Sequence, residues 1–153
     1  MRKAFFQLHI AVFLAGFTGV LGRLIELNEA MIVWYRLLLT AGTMWILFLL
    51  TRKIKRIPVK DIVQIAGVGV IAALHWVTFY AAIKYANVSV ALVCFSAVGF
   101  FTAIFEPIIF RHRFNRIELF LGIITIAAIY LIFHFDSQFK AGIVIGLISA
   151  ALG

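Results

Sequence analysis

Val88-Ser89-Val90-Ala91-Leu92-Val93-Cys94-Phe95-Ser96-Ala97-Val98-Gly99-Phe100-Phe101-Thr102-Ala103-Ile104-Phe105-Glu106-Pro107-Ile108-Ile109-Phe110 runs straight into Arg111-His112-Arg113-Phe114-Asn115-Arg116. The first stretch carries one charged side chain, Glu106, and the second is a cluster of cations. A bilayer's hydrocarbon core is about 30 Å thick, so about 20 mostly apolar residues rising 1.5 Å each cross it as a helix. The run is continuously apolar, without the alternation that a lipid-facing strand needs. It reads as a spanning helix stopped at one end by a basic connector.

Outward from this stretch the pattern repeats. Ala4–Gly22, Glu29–Leu50 and Ile62–Ile83 lie upstream and Ile117–Phe135 downstream, each long enough to span. A further apolar stretch, Ala141–Gly153, has 13 residues, too few to cross at about 1.5 Å per residue. The expectation is a chain that ends inside a sixth helix, the front part of a longer protein. Residues 1–138 then form one five-helix unit, and 139–153 open the next. Composition agrees with an all-α, polytopic transmembrane bundle: 65% of residues are apolar and 13% charged, and the mean hydropathy is +1.12. About 25% charged is usual for a soluble domain. A cytosolic enzyme, a DNA-binding domain and a disordered tail are excluded for want of a polar skin.

The net charge of +8 would suggest nucleic acid in a soluble protein. Its placement says otherwise. With the N-terminus inside, ten cations fall on the cytoplasmic side: Arg2, Lys3, Arg52, Lys53, Lys55, Arg56, Lys60, Arg111, Arg113 and Arg116. Three fall outside, Arg23, Lys84 and Lys140, while Arg36 is within a helix. Cation bias places loops on the cytoplasmic side, so the N-terminus is expected inside a plasma or inner membrane. The first segment is not a signal peptide on this reading, because it spans and joins an alternation that continues through four more segments. The bias also argues against a single repeat inserting both ways up and dimerising head to tail. Cys94 has no cysteine partner and no zinc spacing. No metal or cofactor is implied.

Five spans put the fifth end outside and start the sixth there, so a second five-helix unit would be inverted. Inverted repeats with the site at their interface are common in secondary transporters. Against that background Phe79-Tyr80-Ala81-Ala82-Ile83-Lys84-Tyr85-Ala86-Asn87-Val88-Ser89-Val90-Ala91 resembles the junction between third and fourth helices of the EamA-type drug/metabolite transporter superfamily. Gly122-Ile123-Ile124-Thr125 is similar to the start of its fifth helix, and Arg36 in Val33-Trp34-Tyr35-Arg36-Leu37 to the arginine of its second. Gly99 stands where the family often has proline, His112 where it often has glutamate, and Asn28-Glu29 where proline often precedes the second helix. The resemblance implies one half of an inverted five-plus-five transporter, whose partners are a small-molecule substrate, the lipid bilayer and the second half of the same chain. It implies no nucleic-acid partner and leaves a homo-oligomer open.

Several residues invite a functional reading. His75, about 12 Å deep in the third span, is a binding candidate or a hydrogen-bonded packing residue. His75 and Phe79 share one face, and Trp76, Tyr80 and Lys84 the next; Tyr80 and Lys84 also fit an interfacial anchor. In the fourth span Ser89, Ser96, Gly99, Ala103 and Glu106 fall within an arc of roughly 100°, a stripe for close packing or for lining a cavity. Arg36, roughly 10 Å below the outer end of its helix, either reaches toward Glu29 or Glu26 or binds a carboxylate or phosphate. Glu106 beside the Pro107 kink either pairs with the Arg111–Arg116 cluster or serves as a protonatable gate. Arg36 and Glu106 lie in opposite leaflets and are not expected to pair. Gly16, Gly19 and Gly22, and the pair Gly142 and Gly146, read as packing positions.

The expected function is secondary-active export of small metabolites or amino acids by alternating access. The substrate cavity would draw on His75, Trp76, Phe79, Ser96 and Gly99, with Arg36 and Glu106 as gate or coupling residues. Residues 1–153 alone are expected not to transport. A membrane sensor or scaffold, or a membrane enzyme, is the alternative. The enzyme lacks support, because His75 and Glu106 lie at different depths and no P-loop, HExxH or GxSxG motif is present.

Overall fold

The computed structural model of the chain describes residues 2–51, 57–133 and 137–153. Arg52, Lys53, Lys55 and Arg56 of the basic connector, and His134 and Phe135 at the end of the fifth span, lie outside these residues. The helices are α1 (Arg2–Leu24), α2 (Glu29–Thr51), α3 (Val59–Tyr85), α4 (Val88–Phe95), α5 (Val98–Phe110), α6 (Arg116–Phe133) and α7 (Lys140–Leu152). A single 3-10 turn, Ser137–Phe139, leads into α7. Among the described residues there is no strand. Five crossings satisfy the length and apolarity of a membrane span, with α4 and α5 together forming the fourth. The chain is an all-helical membrane bundle, and its spans begin and end within a few residues of the hydropathy limits.

Asparagines start three of these helices. Asn28 Oδ1 accepts from Ala30 N at 2.9 Å, Asn87 Oδ1 from Val90 N at 2.9 Å and Asn115 Oδ1 from Ile117 N at 3.1 Å. Asn115 Nδ2 also donates to Glu118 Oε1 at 2.8 Å, an arrangement related to the capping box. Asn28 thus starts α2 through its side chain.

Large apolar side chains point outward: Phe13 is 67% exposed, Leu39 67% and Leu131 69%. The interior combines small residues, Ala82, Ala91, Cys94, Ala97 and Ala150 all essentially buried, with a few large ones such as Ile83, Phe79 and Tyr80. Lipid is as apolar as leucine, so helices gain little by hiding leucines and associate where small residues let backbones approach. Hydroxyls within the spans are satisfied locally, as for Thr40, Thr43 and Thr125, each donating to the carbonyl four residues earlier.

The centre of the bundle is α3, on which α1, α2, α4 and α7 all pack, and its most extensive contact is with α7. α5 pairs with α6 and touches α7. The α3–α7 contact is antiparallel. A methyl at Gly142 would stand 2.5 Å from Ala86 Cβ, and one at Gly146 would stand 2.8 Å from Cys94 Cβ and 3.6 Å from Ala82 Cβ. The short apolar helix therefore wedges between α3 and α4. The first helix is less uniform. Gly19 approaches Val88 and Gly22 approaches the Tyr80 ring, but Gly16 has no neighbour within 4 Å of the position its methyl would take.

The fourth span is not one helix. Ala97 N donates to Cys94 O at 3.0 Å, a three-residue spacing, and Ser96 N is shared between Leu92 O and Val93 O, both at 3.2 Å. The Ser96 hydroxyl takes Val93 O at 2.6 Å. A serine that bonds back to its own turn competes for the carbonyl that would continue the helix. The small stripe does not pack as one face. Ala103 is buried, whereas Ser89, Ser96, Gly99 and Glu106 are exposed. The buried face of α4 is Val90, Ala91 and Cys94, followed by Ala97 in the turn, set by the docking of α7.

Candidate functional site

Two clusters grow from adjacent faces of α3. On the first, His75 is 6% exposed and its Nδ1 donates to the backbone carbonyl of Ser149 at 2.8 Å. A carbonyl only accepts, so Nδ1 carries the proton in this tautomer. The Ser149 hydroxyl donates to His75 O at 3.0 Å and stands 3.2 Å from Nδ1. The imidazole lies 5.6 Å from the Phe95 ring and 6.4 Å from Phe79, and those two phenyl rings are 5.7 Å apart in an edge contact. His75, Phe79 and Phe95 thus form one aromatic group where α3, α4 and α7 meet.

On the second face Arg36 finds neither Glu29 nor Glu26. Its guanidinium carbon lies 3.8 Å from the centre of the Trp76 ring, and Nη1 donates to the Tyr80 hydroxyl at 3.2 Å. This corrects the glutamate anchor expected from sequence: the side chain turns across to α3 rather than up its own helix. Tyr80 is 4% exposed, so it is a packed partner of Arg36 rather than an interfacial anchor. It fits against α1 because Gly22 leaves room for its ring. Lys84 donates to the Leu27 carbonyl and ties the outer end of α3 to the loop after α1.

Ser96 and Gly99 border the first cluster through Phe95 but join none of its hydrogen bonds. Ser96 sits at the break beside Phe95, with its hydroxyl turned back to Val93. Gly99 has no neighbour within 4 Å of the position its methyl would take. Glu106 Oε1 lies 3.5 Å from His112 Nε2, both side chains half exposed. The cationic cluster does supply the partner, through its histidine. The turn that brings His112 back is closed by Arg111, whose φ of 53° is left-handed, with Arg111 N and His112 N both directed at Pro107 O. Arg36 and Glu106 are not paired.

Two of these contacts escape a helix-by-helix reading. Ser149 lies unmarked in an apolar segment, and Trp76 and Tyr80 lie 40 or more residues from Arg36 in the chain. Depth was the available signal. Arg36 is seven residues into α2, and Trp76 and Tyr80 are nine and five residues from the end of the antiparallel α3, so all three lie about 7–14 Å below one surface.

Five crossings of sufficient length and apolarity define a polytopic helical membrane protein. The sequence profile of the EamA-like transporter family matches residues 2–134. The chain belongs to that family, a family of membrane transporters. Comparison with curated proteins and with solved structures gives no match.

Proposed function

We propose that the chain is the first five-helix repeat of a secondary-active exporter that moves a small polar metabolite or amino acid by alternating access, without covalent chemistry. Its second repeat would follow in the same chain, inverted. The membrane is the plasma or inner membrane, with the N-terminus cytoplasmic. The substrate cavity draws on His75, Trp76, Phe79, Ser96 and Gly99, and Arg36 and Glu106 serve gating or coupling. The observation that carries the site is the open, small-residue face at Ser96 and Gly99 beside Phe95, whose ring meets His75 and Phe79. Aromatic surface with a few polar groups at middle depth is the usual make-up of such a site.

The test is uptake into liposomes by the reconstituted full-length protein, run on a metabolite panel. Ser96→Ala and His75→Gln are expected to change substrate affinity several-fold at unchanged membrane abundance. If both leave affinity and rate alone, the two residues only pack. Gly99→Leu is expected to fold normally, since no described atom opposes its side chain, and to lose most transport. Wild-type rates in that variant would remove Gly99 from the cavity.

The topology has its own test. In a Cys94→Ala background, Tyr85→Cys is expected to react with an impermeant maleimide on intact cells. Lys55→Cys is expected to react only after permeabilisation. The opposite pattern would invert the orientation.

A further inference from the structure

Arg36 is a cation about 10 Å from the outer end of its helix, and no carboxylate among the described residues pairs with it. Tyr80 and Trp76 fix its plane but leave its charge uncompensated. A guanidinium has five N–H donors, and Arg36 directs one of them to Tyr80. The side chain lines a cleft of about 610 Å³ between α1, α2 and α3. The polar groups on its wall are Thr18, Tyr35, Arg36, Thr40 and Tyr80, and the rest is aliphatic apart from Gly22. The Thr40 hydroxyl donates to Arg36 O, while the Tyr80 oxygen accepts from Arg36 and keeps its own proton to give. No acidic side chain lines the cleft. Hydroxyls, one fixed guanidinium and aliphatic walls suit an anionic head on an apolar body.

We propose that this cleft binds an organic oxyanion, a carboxylate or phosphate on an apolar body, with Arg36 as its cation. The inference goes beyond the transport reading and depends on binding alone. The anion has two possible sources, a soluble solute or the phosphate of a lipid entering between α1 and α2.

Trp76 lies under the guanidinium and can report. The chain has three tryptophans, and Trp34→Phe with Trp45→Phe leaves Trp76 as the sole indole. The purified chain in neutral detergent is titrated with octanoate, octanol and octylammonium. Octanoate is expected to change Trp76 emission saturably, with octanol at least tenfold weaker and octylammonium without effect. Arg36→Gln should abolish the preference for octanoate over octanol, and Arg36→Lys should keep part of it. Tyr80→Phe, which retains the cation and the ring, guards against misfolding of the arginine variants and should weaken octanoate several-fold. Equal affinity for octanoate and octanol, or an unchanged preference in Arg36→Gln, would overturn the proposal. A repeat in nanodiscs separates the sources. An octanoate affinity that falls as phosphatidylglycerol is raised supports a lipid phosphate as occupant, and a constant affinity supports a soluble anion.

Discussion

Gly146→Leu is expected to undock α7 and to lower stability sharply. The α-carbon of Gly146 faces the Cys94 side chain of α4 so closely that even a methyl would stand 2.8 Å from Cys94 Cβ and 3.3 Å from Cys94 Sγ. Cys94 is fully buried and has nowhere to go. A leucine adds three more carbons. Overpacking a core costs about 1–3 kcal/mol when side chains can yield, and here the opposing atoms are at the root of a side chain. Pushing α7 away also breaks the His75–Ser149 contacts less than one helical turn further along. The expected loss is about 3 kcal/mol or more, on the upper side of that range. Thermal unfolding in detergent, followed by circular dichroism, measures it. Gly67→Leu and Gly69→Leu are the controls, because nothing lies within 4 Å of either position. Equal melting of Gly146→Leu and Gly67→Leu would show that the α3–α7 contact does not hold the bundle.

His75→Ala is expected to have the next largest effect. The ring bridges three helices, and its removal leaves a cavity between Trp76, Phe79 and Phe95. It also removes the Nδ1 donor from Ser149 O, although Gly153 N still donates to that carbonyl at 3.1 Å. Cavity and lost hydrogen bond together should cost about 2–4 kcal/mol. Ser149→Ala, which deletes only the hydroxyl bond to His75 O, should cost roughly 0.6–1.7 kcal/mol, the scale of interhelical hydrogen bonds in membranes. His75→Gln keeps an amide donor for Ser149 O and should fall between wild type and alanine. The ranking can be read from the same melts. Alanine at 75 as stable as wild type would mean that the histidine contributes nothing to packing and is kept for another purpose.

Both predictions concern contacts between helices, which single-helix patterns register poorly. The resemblance and the hydropathy pattern led to the family and to the five crossings. The division of the α3 surface into a His75–Phe79 face and a Trp76–Tyr80 face followed from a helical period of 3.6 residues, and both faces have distinct partners. The close approach expected of Gly142 and Gly146 also matches their contacts. The glutamate alternative for Arg36 uses residues near in sequence, whereas the rotation that turns it to Trp76 depends on how α2 sits against α3. The stripe on the fourth span presumes an unbroken helix, whereas α4 ends at Phe95 and α5 begins at Val98.

The sequence by itself determined the medium and the number and approximate limits of the crossings. These depend on each residue's transfer from water to lipid, so they can be summed along the chain. Only the tertiary structure decided that α7 sits between α3 and α4, that His75 is bound to Ser149, and that Arg36 rests on Trp76 at the wall of a cleft. In lipid the apolar surface of one helix is worth as much against lipid as against another helix. Helix order and rotation are therefore set by small-residue fits and a few polar contacts between distant segments, whose pairing appears only when the helices are packed.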